Sequence, residues 1–391
     1  IGVKPLYYYF ADNKFIFSSE IKAILEHPVK REINMDSLNI YFRALYLPAP
    51  LTMFQGIKKL EPASYLILKN NKLDKVKYWQ PADFDNIRSK EEAVQQIQDL
   101  MKDSVRLQLI SDRPVGVFLS GGIDSTVITG LVSEQTKSKI KTFSANYDVK
   151  VNKFDIDANL AKKTSEYYKT DHTEIEVSGK DARDNIFDVV YGMDEPVSNA
   201  TQIATYILSK YTSEKVKVVL GGDGGDELFG GYERYRLSKL ISDYQKVPAI
   251  LRKTLGNTFI NLVKNKYPHA DKMNLPPNAQ RYLSFMAQKE NDVGSVLKKE
   301  INNQNITEKF YQENFFTEKI QDFEKQFMLA DLRSWLPDES LVRSDKMSMA
   351  FGLEQRVPIL DHRLVELSLK IPTNWKIQGR NTKAIFKEAM K

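Results

Sequence analysis

FLSGGIDSTVI, residues 118–128, sets the end of an apolar run against two glycines and an aspartate, then resumes with Ser125, Thr126 and further apolar residues. The pattern predicts a strand over 115–119, a tight turn through Gly121 and Gly122, and a helix over 125–135. Such a turn aims several backbone N–H groups and the positive end of a helix at one point, which is a site for a phosphate. Asp124 would stand at its rim, and a carboxylate beside phosphates calls for a Mg²⁺ ion between them. The lysine of a G-x-x-x-x-G-K-[ST] loop is absent, so the phosphate chemistry is of another kind.

Working outward, strands are predicted at 140–145, 173–177 and 216–220, alternating with helices at 156–168, 181–191 and 201–213. Continuous apolar strands alternating with helices indicate a doubly wound parallel sheet. The strand at 216–220 runs into GGDGGDELFGG, residues 221–231, which carries Asp223, Asp226 and Glu227 among six glycines. In a parallel sheet both loops fall at the carboxyl edge, where a switch in strand order opens a binding crevice. Together they could hold a nucleotide triphosphate and its metal.

Upstream, residues 6–19 read as a hairpin turning at Asp12-Asn13 that would be marginal alone and must pack on something, either within the chain or missing from it. A helix follows at 35–46, then a second hairpin at 64–79 turning at Asn70-Asn71, and a linker at 80–86. Ser89 opens a helix carrying Val94, Ile97, Leu100 and Met101 on one face. Residues 232–330 read as mainly helical and serve either as a lid or as a packing layer.

With 391 residues and 42% hydrophobic content, the chain is long enough for two domains with a sizeable core. Its net charge of +6 comes from scattered lysines, which suits anionic small molecules and does not form a nucleic-acid patch. The absence of cysteine excludes disulfides, Cys-ligated zinc and a thiol nucleophile in this chain, and four scattered histidines do not make a metal site. No apolar run approaches the roughly 20 residues of a membrane span and no signal peptide is visible, so a cytoplasmic location and no membrane partner are expected. A start at Ile1 without methionine leads us to expect a piece of a longer protein. A homodimer is compatible with the sequence.

SGGIDS, DEP (194–196), GGDGGDELFGGY, DKMSMAFGLEQRVPILD (345–361) and TKAIFKEA (382–389) resemble, in order and along essentially the whole chain, the glutamine-hydrolysing asparagine synthetases. The first motif is similar to the PP-loop of the ATP pyrophosphatase superfamily. The opening hairpin resembles the end of that family's N-terminal nucleophile glutaminase domain, which implies a boundary near 85: a β-rich remnant and linker over 1–85, and a synthase domain with extra C-terminal helices over 86–391. The catalytic cysteine of that glutaminase domain has no counterpart here, and relatives continue beyond the last residues of this chain.

The resemblance implies ATP-dependent adenylation of a carboxylate, release of pyrophosphate, and displacement of AMP by ammonia, with the nitrogen drawn from glutamine or from ammonia itself. Aspartate, giving asparagine, is the acceptor it implies. Phe118, Leu119, Ser120, Gly121, Gly122, Asp124, Ser125, Ala145, Gly221 and Gly222 would bind ATP, with adenine against Phe118 and Ala145. Asp124 and Asp226 would hold Mg²⁺, Lys383 would stabilise charge during adenylation, and Asp223 would manage a proton. One departure stands out. Asparagine synthetases read Ser-Gly-Glu-Gly where this chain has Gly221-Gly222-Asp223-Gly224, so the carboxylate is one methylene shorter. Related enzymes that amidate sugar uronic acids vary in this loop, which keeps that acceptor class open; a non-catalytic ATP-binding regulator is a further alternative. Asp194 and Glu195, and likewise Asp345, Lys346, Glu354 and Arg356, either line the acceptor pocket or form packing salt bridges.

Overall fold

A computed structural model describes residues 1–81, 87–148, 152–248, 252 and 270–391. Most of the expected linker, residues 82–86, lies outside them. The two hairpins form where the turn chemistry placed them. Strands β1 (Tyr7–Ala11) and β2 (Lys14–Ser18) pair antiparallel across Asp12 and Asn13, whose φ values of 52° and 57° match the strands' right-handed twist. The β1 strand also pairs with β3 (Ile57–Lys59), which sequence periodicity did not reveal because three residues show too little alternation. Helix α1 (Ile21–Leu25) closes this unit by packing Ile21 and Ile24 against Tyr7, Tyr9 and Ile57. One side of the first hairpin therefore finds its packing partners inside the chain, while Phe17 on β2 stays exposed. Strands β4 (Ser64–Lys69) and β5 (Lys72–Lys77) form the second hairpin across Asn70 and Asn71, and helix α2 (Met35–Ala44) precedes both, N-capped by Asn34.

Helix α3 (Lys90–Gln108) starts at Ser89, whose side chain accepts the Glu92 N–H. Its buried stripe is Ala93, Ile97, Met101 and Val105, with Val94 and Leu100 at the margins. Then come β6 (Val115–Phe118), α4 (Ile123–Gln135), β7 (Lys141–Tyr147), α5 (Asn152–Tyr167), β8 (Asp171–Val177), α6 (Gly179–Met193), α7 (Thr201–Ser213) and β9 (Val218–Leu220). The sheet is wholly parallel in the order β10-β9-β6-β7-β8, where β10 is Glu354–Arg356. The order reverses between β6 and β9, so the two glycine-rich loops leave adjacent strands at the switch point. One face packs Val117 and Leu220 against α3 and α4; on the other, Ile175 and Val177 meet Ala204 and Ile207 of α7.

Between α9 (Glu233–Gln245) and helix Phe323–Arg333, the described residues form a packing layer. Tyr46, Tyr235, Tyr282, Tyr311 and Phe327 bury together. Buried Asp331 accepts hydrogen bonds from Arg234 at 2.9 Å, from the Tyr282 hydroxyl at 2.8 Å and from the Tyr235 hydroxyl. Satisfied buried polar groups of this kind fix a layer in place. The part of the lid reading that concerns residues 249–251 and 253–269 falls outside the described residues.

Candidate active site

The loop after β6 is tied to itself by Ser125. Its hydroxyl accepts the Ser120 N–H at 3.0 Å and lies 3.1–3.2 Å from the carbonyls of Gly122 and Ser120. Gly122 is the N-cap of α4 and supplies no side-chain cap, leaving the helix's first N–H groups for a ligand. Gly121 also makes room for a neighbouring helix, since a Cβ there would sit 2.6 Å from the Asp157 backbone.

The loop after β9 starts the short helix α8 (Gly225–Phe229) and crosses over α4. Asp124, 9% exposed, turns toward it. A Cβ at position 225 would lie 2.4 Å from Asp124 Oδ1, and one at 231 would overlap Asp226 Oδ1, so these glycines let backbone and carboxylates approach. Lys383, just before helix Ala384–Ala389, inserts its Nζ between the two acids, 2.5 Å from Asp124 Oδ2 and 3.0 Å from Asp226 Oδ1. Its own φ of 51° is a conformation that non-glycine residues seldom adopt. Burial, reinforced by Asp226 and Asp223, pushes Asp124 up to about 6 against the opposing pull of the Lys383 ammonium. Burial alone would lower Lys383, but Asp124 and Asp226 outweigh it and hold it above its ordinary value.

These groups line a cavity of about 640 Å³ at the switch point, a size usual for small-molecule sites. Of the residues singled out from the sequence, Phe118, Leu119, Ser120, Gly122, Asp124, Ser125, Ala145, Gly221, Gly222, Asp223, Asp226 and Lys383 all line it. Gly121 does not. Asp223 accepts from Gln355 Nε2 at 2.7 Å, and Ser340 Oγ approaches its other oxygen at 3.4 Å. Burial raises its pKa, with Arg343 the main opposing influence.

Sequence reading missed Gln355, Ser340, Arg343 and the Thr201 and Thr205 face of α7. For α7 the spacing of Thr201, Ala204, Thr205 and Leu208 was a usable signal. Ser340 sits on an irregular π-helical turn, Leu336–Leu341, for which no sequence period exists.

The other ambiguous charged residues make packing contacts. None of Asp194, Glu195, Asp345, Lys346, Glu354 and Arg356 is among the cavity's lining residues. Asp194 accepts the Ile21 N–H at 3.0 Å and pairs with Lys22 and Lys346. Glu195 accepts the Met53 N–H at 2.9 Å and lies 3.4 Å from Lys59 Nζ. Asp345 pairs with Lys4, and Arg356 bonds Glu354 and the carbonyls of Gln108 and Ile110. They join the N-terminal unit to the sheet domain or brace its edge.

Strand order, helices on both faces and a cavity at the reversal define a doubly wound α/β protein. Comparison with known families narrows this, because the model described as asparagine synthase matches residues 96–391 and that described as a glutamine amidotransferase domain matches residues 1–79. The chain belongs to the asparagine synthase family. It is 29% identical to "Asparagine synthetase [glutamine-hydrolyzing] 1" of Bacillus subtilis (strain 168), over 99% of this chain and 61% of that protein. It is 36% identical to "Putative asparagine synthetase [glutamine-hydrolyzing] 2" of Methanocaldococcus jannaschii, over 64% of this chain and 49% of that protein. "Amidase chry2" of Gibberella zeae is 25% identical, over 100% of this chain and 64% of the relative. The chain thus spans about three fifths of the length of the first of these relatives. Among the described residues no helix is long and apolar enough to cross a membrane.

Proposed function

We propose that the chain carries an ATP-dependent amide synthetase, with residues 1–85 the amidotransferase-derived part and 86–391 the synthase domain. A carboxylate oxygen of the acceptor attacks the α-phosphorus of ATP, and pyrophosphate leaves. Ammonia then attacks the acyl carbon, AMP leaves, and the amide forms with loss of a proton. The observation that carries this reading is the Asp124–Lys383–Asp226 cluster set against the uncapped start of α4 inside one cavity.

On this reading Phe118, Leu119 and Ala145 flank the adenine, and the backbone of Ser120 to Asp124 takes the pyrophosphate end. The Lys383 ammonium offsets charge that builds on the α-phosphate. Asp223 takes the proton released by the attacking ammonia; its Oδ2 is engaged by Gln355 at 2.7 Å, while Ser340 approaches Oδ1 at 3.4 Å.

Asp124 Oδ1 is buried with no hydrogen-bond partner among the described residues, and two carboxylates offer the hard oxygens that Mg²⁺ prefers. Among the described residues no three or more His, Asp or Glu side chains form a cage there, so a Mg²⁺ ion would draw its remaining ligands from water and phosphate oxygens. When bound to Asp124 and Asp226, Mg²⁺ would neutralise phosphate charge.

Aspartate is the acceptor proposed first. The shorter Asp223 favours a second class, sugar uronic acids, for testing beside it. Pyrophosphate release with ammonium across a panel of carboxylates tests the function: release with aspartate supports asparagine formation, release with a uronate shifts the acceptor. ATP binding without release for any carboxylate would leave a regulator instead.

A further inference from the structure

Gln355 sits at the centre of β10, and strand alternation turns it inward while Glu354 and Arg356 face outward. It is 6% exposed. Its Nε2 donates to Asp223 Oδ2 at 2.7 Å across the mouth of the second loop. The same amide fills the space beside Gly221, where an added Cβ would fall 2.4 Å from Nε2, 3.2 Å from Cδ and 3.0 Å from Asp223 Oδ2. Position 221 is not in the left-handed region, so its backbone does not require glycine. Nor can the backbone retreat, because the Gly221 N–H donates to the Arg356 carbonyl at 2.8 Å and β10 is paired to β9 in register.

We propose that Gln355 is a positioning residue that holds the Asp223 carboxylate in the cavity, and that residue 221 is glycine because the Gln355 amide takes the place of a side chain there. The kinetic half of this rests on the amide-synthesis reading above. Asp223 is otherwise approached by Ser340 Oγ at 3.4 Å, with Arg343, Glu339 and Asp124 acting through charge. Without the amide its carboxylate keeps only the long Ser340 contact and a bond to its own backbone N–H, and acid–base chemistry tolerates little slack in placement. A serine at 221 carries its own hydroxyl donor to the space the amide vacates, so the two positions are interchangeable solutions to one problem. Each excludes the other.

The test is a double-mutant cycle of Gly221→Ser and Gln355→Ala in the full chain, read by thermal melting and by kcat and KM for ATP and acceptor. Gly221→Ser alone is expected to lower Tm and turnover through the clash. Gln355→Ala alone is expected to lower kcat about tenfold or more with KM for ATP unchanged. The double variant should regain both Tm and kcat relative to Gly221→Ser. Should Gly221→Ser fail to fold, folding of the double variant carries the same meaning. Should neither fold, the kcat and KM split in Gln355→Ala decides. Independent effects in the double variant, or unchanged kcat in Gln355→Ala, would overturn the proposal. The melting cycle also reads the pairing in protein that turns over no carboxylate. Rescue of Tm without pyrophosphate release would therefore sink amide synthesis and keep the pairing, while turnover without rescue would do the reverse.

Discussion

Lys383 Nζ lies 2.5 Å from Asp124 Oδ2 although 259 residues separate the two in the chain. The contact ties the last short helix to the loop after β6, and through Asp226 to the loop after β9. One ammonium thus bridges two acids that would otherwise repel within a cavity. Breaking either partner tests a different part of the chemistry.

Replacing Asp124 with Asn keeps the shape and removes the charge. If the carboxylate holds Mg²⁺ against the triphosphate, the variant should lose several kcal/mol of transition-state stabilisation, about 10²-fold or more in turnover. Melting should show the fold intact, because Lys383 keeps Asp226 as its partner. Full activity in Asp124→Asn with Mg²⁺ as the sole divalent ion would contradict the role.

For Lys383→Ala, turnover should fall by about 10² while KM for ATP changes little, since a fixed cation acts more on the charged transition state than on bound ATP. The structure adds a stability effect. The variant leaves Asp124 and Asp226 facing each other, and protonation relieves that repulsion. Its stability deficit should therefore be larger at pH 8 than at pH 5, as seen by melting at both. A raised ATP requirement with normal kcat would mean that Lys383 only binds.

Much of this arrangement is legible in the sequence, and the boundary of what is legible has a physical origin. The strand at 115–119 is a mainly apolar run that ends in a glycine turn and that at 173–177 alternates β-branched with charged residues, and the observed Val115–Phe118 and Asp171–Val177 overlap them closely. Gly121 stands in the expected phosphate turn, but that its missing side chain also makes room for Asp157 is a long-range contact with no local signature. β10 escaped because three residues cannot show a period, and with it went Gln355. Asp194 and Lys346 read equally well as pocket or packing groups; only the pairing with Lys22 and the α1 backbone decides between them.

Lys59 offers a test of how firmly the N-terminal unit is joined to the sheet domain. Its Nζ donates to the Leu47 carbonyl at 2.8 Å and lies 3.3 Å from Asp338 and 3.4 Å from Glu195, all three side chains nearly inaccessible. Lys59→Met would strand two carboxylates in the interior, a change that typically costs about 3–5 kcal/mol. A single cooperative melt at markedly lower temperature is expected. Unfolding of residues 1–79 alone, visible as protease cleavage before the main transition, would show that the two parts are not coupled.

Lys376 supplies the clearest pH dependence away from the cavity. It is 1% exposed, and burial, with Lys325 adding repulsion, lowers its pKa to about 7. In the unfolded chain a lysine titrates near 10.4. Between those values the unfolded state binds the extra proton, so the native state gains stability as pH rises from 7 toward 10 and is penalised most below 7. Lys376→Met should therefore raise stability by an amount on the order of a few kcal/mol at pH 6 and by little at pH 10. Equal shifts at both pH values, measured by denaturant melts, would show that the amine is not held neutral.

The nitrogen source gives the last expectation. Opening glutamine requires an activated nucleophile, which in the family this sequence resembles is a cysteine, and the 391 residues contain none. Ammonia, by contrast, attacks an acyl-adenylate directly and asks only for a base such as Asp223. The chain should therefore release no glutamate from glutamine, yet form AMP and pyrophosphate from ATP and a suitable carboxylate when ammonium is supplied. Rates should rise with pH between about 7 and 9, because free ammonia increases as ammonium loses its proton, and Lys383, held above its ordinary value by two acids, stays charged through that range. Separate assays of glutamate and AMP decide the matter: glutamate formed by this cysteine-free chain would refute the nucleophile argument, and AMP formation stimulated by glutamine but not by ammonium would refute the direct use of ammonia.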